Sequence, residues 1–198
     1  MRAGRRVHSP RGVEAHRVLS QWQGDALGQE GRVVALKVFG RPPLYLATTS
    51  DVQKYLDEIF HEEKKTGYMT AECQVIHGSD PEIPENVLQV GIDYESGYGA
   101  VLWYCDGEMR ERVAVDSSPD VAEHVWVSWN PSPPEVDPQV LSDPWCPSYF
   151  NRISAIPLDV FRSVIEEYFR SGTGFRPEGV QWVKGQFTGE LYEEVDSQ

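Results

Sequence analysis

From Val87 to Tyr104 the chain alternates with the two-residue period of a β-ribbon, broken once. Leu88, Val90, Ile92 and Tyr94 fall on one face of the first run, and Ala100, Leu102 and Tyr104 on one face of the second. Only Glu95-Ser96-Gly97 separates the runs. That is too short for a crossover, so the pair predicts an antiparallel hairpin. An isolated two-stranded ribbon is barely stable in water. The rest of the chain must therefore extend it sideways and cover at least one face.

The flanking segments supply both. Val33–Phe39 and Leu44–Thr48 read as short strands separated by Pro42 and Pro43, and Ala71–His77 as a longer one. Ser50 reads as an N-cap with Asp51 in the first turn. Val52, Tyr55, Leu56, Ile59 and Phe60 follow at helical spacing, predicting an amphipathic helix that ends near Lys65. Asp106-Gly107 is a strong short hairpin signal. It predicts a turn that sets Trp103 opposite Arg110, with Glu111–Val115 as the next strand. Val125–Trp129 alternates again. Residues 130–150 are proline-rich, yet Trp145, Tyr149 and Phe150 favour an ordered loop over a linker. Pro157 suits the first turn of a second helix, whose apolar face is Leu158, Phe161, Val164, Ile165, Tyr168 and Phe169. Gly172 and Gly174 stop it, and Val180–Lys184 is a last strand. The expected fold is α+β: a twisted antiparallel sheet with two main helices packed on one face.

Charge divides the chain. The net charge is -13, but residues 1–41 hold eight Lys/Arg against three acids, or +5, which leaves -18 for the remainder. We therefore expect three parts: a basic N-terminal arm over residues 1–31, an α+β domain over 32–185 and an acidic C-terminal tail over 186–198. At most a short helix near Val13–Trp22 is expected in the arm. So acidic a body is a poor nucleic-acid binder and a good match for a basic partner. The cysteines are three, Cys73, Cys105 and Cys146, with no CxxC spacing. The start MRAGRR leads into no apolar run, and no segment is apolar enough to span a membrane. The expected compartment is the reducing cytoplasm, with no membrane partner.

Motifs for catalysis are sparse. HExxH, GxSxG and the P-loop are absent, and Gly97-Tyr98-Gly99 lacks the third glycine of a dinucleotide loop. His77 and His124 flank strands and could meet, but a metal site needs more ligands. Cys105 has no evident cation or helix N-terminus to activate it. Asp93, Glu95, Asp106 and Glu108 gather at hairpin ends, where turn formation competes with acid–base work as their reason. No cofactor and no metal are expected.

Two stretches carry a resemblance. Ile156-Pro157-Leu158 opens a helix ending Glu167-Tyr168-Phe169, followed by Thr173-Gly174-Phe175-Arg176-Pro177, Val180 and Trp182. Upstream lies Gly99-Ala100-Val101-Leu102-Trp103-Tyr104-Cys105-Asp106-Gly107. In this order the two are similar to the ending and the central motif of immunity protein family one, from bacterial polymorphic toxin systems. The likeness covers about residues 32–185. The family's ending usually runs Gly directly into Arg-Pro, whereas Thr173-Gly174-Phe175 intervenes here.

The resemblance implies a non-enzymatic protein that binds and inhibits a cognate secreted toxin. The implied toxin is basic, belongs to the nucleic-acid deaminase superfamily, and is met by a monomer that binds no nucleic acid itself. An acidic body could fill the toxin's basic substrate groove, with aromatic side chains as anchors. The candidate contacts are Asp93, Glu95, Tyr98, Trp103, Asp106, Glu108 and Trp126, with Asp143, Trp145 and Tyr149 of the proline-rich loop as a second set. Trp103 and Trp126 have packing inside the sheet as their competing role. Arg176 and Pro177 suit a structural role, Pro shaping the approach to the last strand and Arg tying down its loop. Two other functions stay open: a small hydrolase using Asp93, Glu95 or Asp106, and a regulatory module whose partner is no toxin.

Overall fold

The computed structural model describes residues 32–38, 44–46, 48–60, 67–77 and 85–192. The expected arm lies outside the described residues. In chain order the elements are β1 (Arg32–Val38), β2 (Leu44–Leu46), α1 (Thr49–Phe60), β3 (Tyr68–His77), β4 (Asn86–Asp93) and β5 (Tyr98–Cys105). Then come α2 (Gly107–Asp116), α3 (Pro119–Glu123), β6 (Val125–Trp129), β7 (Leu141–Asp143) and β8 (Ser148–Tyr149). A 3-10 turn (Arg152–Ser154) precedes β9 (Ile156–Pro157), α4 (Leu158–Ser171) and β10 (Gln181–Gly185).

The α+β fold is the expected one. The main sheet runs β10-β6-β5-β4-β3-β1-β2, with β9 beside β5, and every pairing is antiparallel. The β4–β5 hairpin is central, with Asp93 opposite Tyr98 and Asn86 opposite Cys105. Both strands are buried along nearly their whole length. A sheet buried on both faces needs two covering layers. One is helical: Val52, Leu56 and Ile59 of α1 join Phe161, Ile165 and Phe169 of α4 over Leu88, Val90, Val101 and Trp103. The other is the proline-rich segment. Val140, Phe150 and Ala155 pack on Ala100, Leu102 and Val127. Gly91 makes this approach possible, since a Cβ there would collide with the Leu141 carbonyl oxygen.

Several boundaries follow from capping. The α1 cap is Thr48 rather than Ser50: its Oγ1 accepts from the Asp51 N–H at 3.1 Å, and Asp51 Oδ2 accepts from the Thr48 N–H at 2.9 Å. This reciprocal pair is a capping box. Gly172 ends α4 in the left-handed conformation, φ 56°, as its position predicts.

One expected element is wrong. Asp106-Gly107 does not turn a hairpin, and Glu111–Val115 is not a strand. Asp106 caps α2, its side chain accepting from the Gly107 N–H at 2.8 Å. Met109 and Val113, four residues apart, bury one stripe of that helix. Trp103 therefore faces Leu88 on one side and Trp126 on the other, not Arg110. The short 107–116 run has equal claims to both periods, and the cap decides. At the other end, residues 186–192 of the expected tail turn back: Leu191 bridges to Gly185, and the Tyr192 N–H donates to Lys184 O at 3.0 Å.

Candidate functional site

The carboxylates expected to act together are far apart. Asp93 and Glu95 sit at one end of β4–β5, and Asp106 and Glu108 at the other. Seven strand steps from Tyr98 to Cys105, at ~3.3 Å each, separate the ends by about 23 Å. Asp93 forms the turn: its Oδ1 accepts from the Glu95 N–H at 3.0 Å, and its carbonyl from the Gly97 N–H at 3.1 Å. Asp93 and Asp106 thus share no site, and a hydrolase built on the pair has no geometry here. Tyr98 is half-buried against the core under the proline-rich layer.

The backbones of His77 and His124 belong to β3 and the edge of β6, with β4 and β5 between them. Three strand spacings of ~4.8 Å put them about 14 Å apart. Among the described residues no cluster of three His, Cys, Asp or Glu could hold a metal ion. Cys105 lies under α3, its thiol donating to the Ala122 carbonyl at 3.7 Å. Burial pushes its pKa up to about 11, although Arg110 pulls the other way. Burial, then Glu72, raises Cys73 further. Burial thus favours the protonated form of both thiols, the weaker nucleophile.

The tryptophans divide by role. Trp103 is fully buried, and its Nε1–H donates to the Gly174 carbonyl at 3.0 Å. Trp126 is 9% exposed, donates to Val121 O at 3.0 Å and is covered by Arg176. Neither can anchor a partner in this fold; both pack inside the sheet. Arg176 lies 4.2 Å from the Trp126 ring centroid and 5.7 Å from that of Trp182. The loop is thus tied down through aromatic faces rather than backbone carbonyls. Trp182 in turn donates to Pro177 O at 2.7 Å.

Asp120 completes this corner. Its carboxylate accepts from Lys184 Nζ at 2.8 Å and lies 3.4 Å from His124 Nδ1. The Lys184 hydrogen bond, with the positive charges of Lys184, His124 and Arg176, holds the Asp120 pKa below the usual carboxylate range. Asp120, Lys184 and the Arg176 stack escape a reading of sequence alone, because α3, β10 and the loop meet only in the folded chain. The run Arg176-Pro177 before Trp182 was the one available signal.

Among the described residues, two accessible surfaces carry candidate contacts. A shallow groove of about 500 Å³ runs between α2 and α3, lined by Arg110, Glu111, Ala114, Pro119, Ala122 and Glu123. Residues 106–124 around it carry six carboxylates (Asp106, Glu108, Glu111, Asp116, Asp120, Glu123) against Arg110 and Arg112. The second surface is the β7–β8 hairpin. Trp145 is 75% and Tyr149 46% exposed, and Asp143 shapes the turn by accepting from the Trp145 N–H at 2.7 Å. Of the candidate contacts, Asp106 and Glu108 therefore stand at the first surface, Asp143, Trp145 and Tyr149 at the second, and Asp93 and Glu95 at neither.

No curated protein and no solved structure matches the chain. A family does: residues 40–184 match Immunity protein Imm1. The match spans β2 through β10, including both covering layers, the Asp106 cap and the Arg176 stack. The chain belongs to the Imm1 family of immunity proteins.

Proposed function

We propose that this immunity protein binds a cognate secreted toxin of the nucleic-acid deaminase kind and blocks its active site or substrate groove. Membership of the Imm1 family over residues 40–184 carries the reading. Charge supports its finer part. An enzyme that grips DNA or RNA needs a cationic groove. The chain beyond residue 41 sums to -18, since -13 less the +5 of residues 1–41 leaves that value. Such a body is drawn to a cationic groove and competes with phosphate for it. Inhibition by occupancy requires no catalysis by this chain, in keeping with an immunity protein. The proposed setting is the cytosol of the producing cell, where the toxin would otherwise reach its own maker's nucleic acid.

The test is co-expression with the toxin domain encoded beside this chain's gene. Survival should require at least one immunity chain per toxin, and the purified pair should elute as a one-to-one complex. Deaminase activity of the toxin on an oligonucleotide should fall in proportion to the immunity protein added. Protection at a small fraction of the toxin's concentration would mean turnover and would sink the reading. So would a neighbouring toxin with no deaminase activity, for the finer part alone.

A further inference from the structure

We propose that the β7–β8 hairpin, with Trp145 at its tip and Tyr149 on its flank, is the anchor that enters an apolar pocket rimmed by Lys and Arg on the toxin. The proposal rests on the toxin-binding function above and deepens it by naming the element that docks.

Three observations converge on this hairpin. The first is exposure without a structural use. Trp103, Trp126 and Trp182 each donate the indole N–H to a backbone carbonyl. Trp145 is 75% exposed, and neither its Nε1–H nor the Tyr149 hydroxyl has a hydrogen-bond partner among the described residues. Large exposed aromatics with an unspent donor are the residues that dominate protein interfaces.

The second is rigidity. The segment is held by its buried side, not by its tip. Val140, Leu141 and Phe150 are buried, and the Phe150 N–H donates to Val140 O at 2.9 Å. Gln89 of β4 donates to both the carbonyl and the hydroxyl of Ser142 at 2.9 Å. Arg152 reaches back to Pro134 O at 2.7 Å, and Asn130 to Ala155 O at 2.6 Å. Pro144 and Pro147 bracket the tip and restrict its backbone. A display already ordered loses little entropy on docking.

The third is charge. Residues 130–151 contain Glu135, Asp137 and Asp143 and no Lys or Arg. An aromatic tip among these acids selects a pocket with a basic rim and disfavours an acidic partner.

The test uses the full chain and the toxin domain encoded beside its gene. Trp145→Ala should keep the wild-type melting temperature, because the indole is 75% exposed and its Nε1–H has no hydrogen-bond partner among the described residues, yet raise Kd about 30-fold through faster dissociation. Trp145→Phe should recover part of the loss. In the complex, alkylation of the exposed Cys146, followed on its own peptide by mass spectrometry, should slow at least about tenfold relative to the free chain. If wild type binds the toxin while folded Trp145→Ala binds within about threefold of it, or Cys146 reacts equally fast in the complex, the hairpin is not the anchor. If wild type does not bind the toxin at all, the functional reading itself fails. A Trp145-dependent dimer that leaves toxin binding intact would also overturn the proposal, in favour of self-association.

Discussion

The guanidinium of Arg176 lies between two indoles, 4.2 Å from the centroid of Trp126 and 5.7 Å from that of Trp182. Trp126 belongs to β6 and Trp182 to the edge strand β10, so the stack fastens the 172–180 loop across the sheet margin. The planar cation is suited to this role in a way an ammonium is not. Arg176→Ala should destabilise the fold by about 1–3 kcal/mol in denaturant titrations. Arg176→Lys should restore less than half of that. Equal stability of the Lys variant and wild type would show that charge alone matters there.

Beside it, Asp120 provides a pH signature. Its folded pKa is depressed, first through the Lys184 hydrogen bond. Its contribution is therefore present above the unfolded value, ~3.9, and is lost as pH falls through the folded value. The gap in denaturant midpoint between wild type and Asp120→Asn should be open at neutral pH and close on acidification below that range. A gap that is unchanged at low pH would remove the electrostatic account.

Asn86 replaces a missing stretch of β-ladder. Fully buried, it accepts from the Val75 N–H at 2.9 Å, donates to the Val75 carbonyl at 2.8 Å and receives the Tyr168 hydroxyl. Asn86→Ala leaves several buried groups unpaired and should cost about 2–4 kcal/mol. Tyr168→Phe removes one donor only and should cost about 1 kcal/mol. Equilibrium unfolding of both variants checks the order; the reverse ranking would mean that Asn86 is not the hub.

The three thiols should react unequally. Cys73 and Cys105 are buried with raised pKa, that of Cys105 to about 11, whereas Cys146 is exposed. At mildly alkaline pH a chromogenic disulfide should react quickly with a single thiol in the native chain, and with all three in denaturant. Two or more fast-reacting native thiols would contradict the packing under α3 or within β3.

For the complex, the exposed acids of α2 should act on the rate of encounter. Glu108→Lys with Glu111→Lys should slow association with the toxin domain by about tenfold at low salt, with most of the difference lost at high salt. Asp106 is left out of this pair because it caps α2. Stopped-flow association at several ionic strengths is the check. An effect confined to dissociation would move these acids into the buried part of the interface.

Periodicity and punctuation were enough for much of this fold. The alternation from Val87 to Tyr104 specified the central hairpin, because a one-residue slip would turn every apolar side chain to the wrong face. Helical spacing from Val52 to Ile59 and from Leu158 to Phe169, with Gly172 as a stop, specified the covering helices. The motifs around Gly99–Gly107 and Ile156–Trp182 were enough to suggest the family that the match over residues 40–184 then showed. Sequence could not decide the state of residues 107–116. A short run with Met109, Val113 and Val115 fits either period, and only the Asp106 cap and the room beneath α2 choose the helix. Nor could it say which aromatics stay outside. Trp103 and Trp145 have the same chemistry, but one falls beneath a helical layer and the other at the tip of the second layer. Exposure depends on which segments cover which face of the sheet. That is set by contacts between residues far apart in the chain, such as Gln89 with Ser142 and Trp103 with Gly174, which no local pattern encodes.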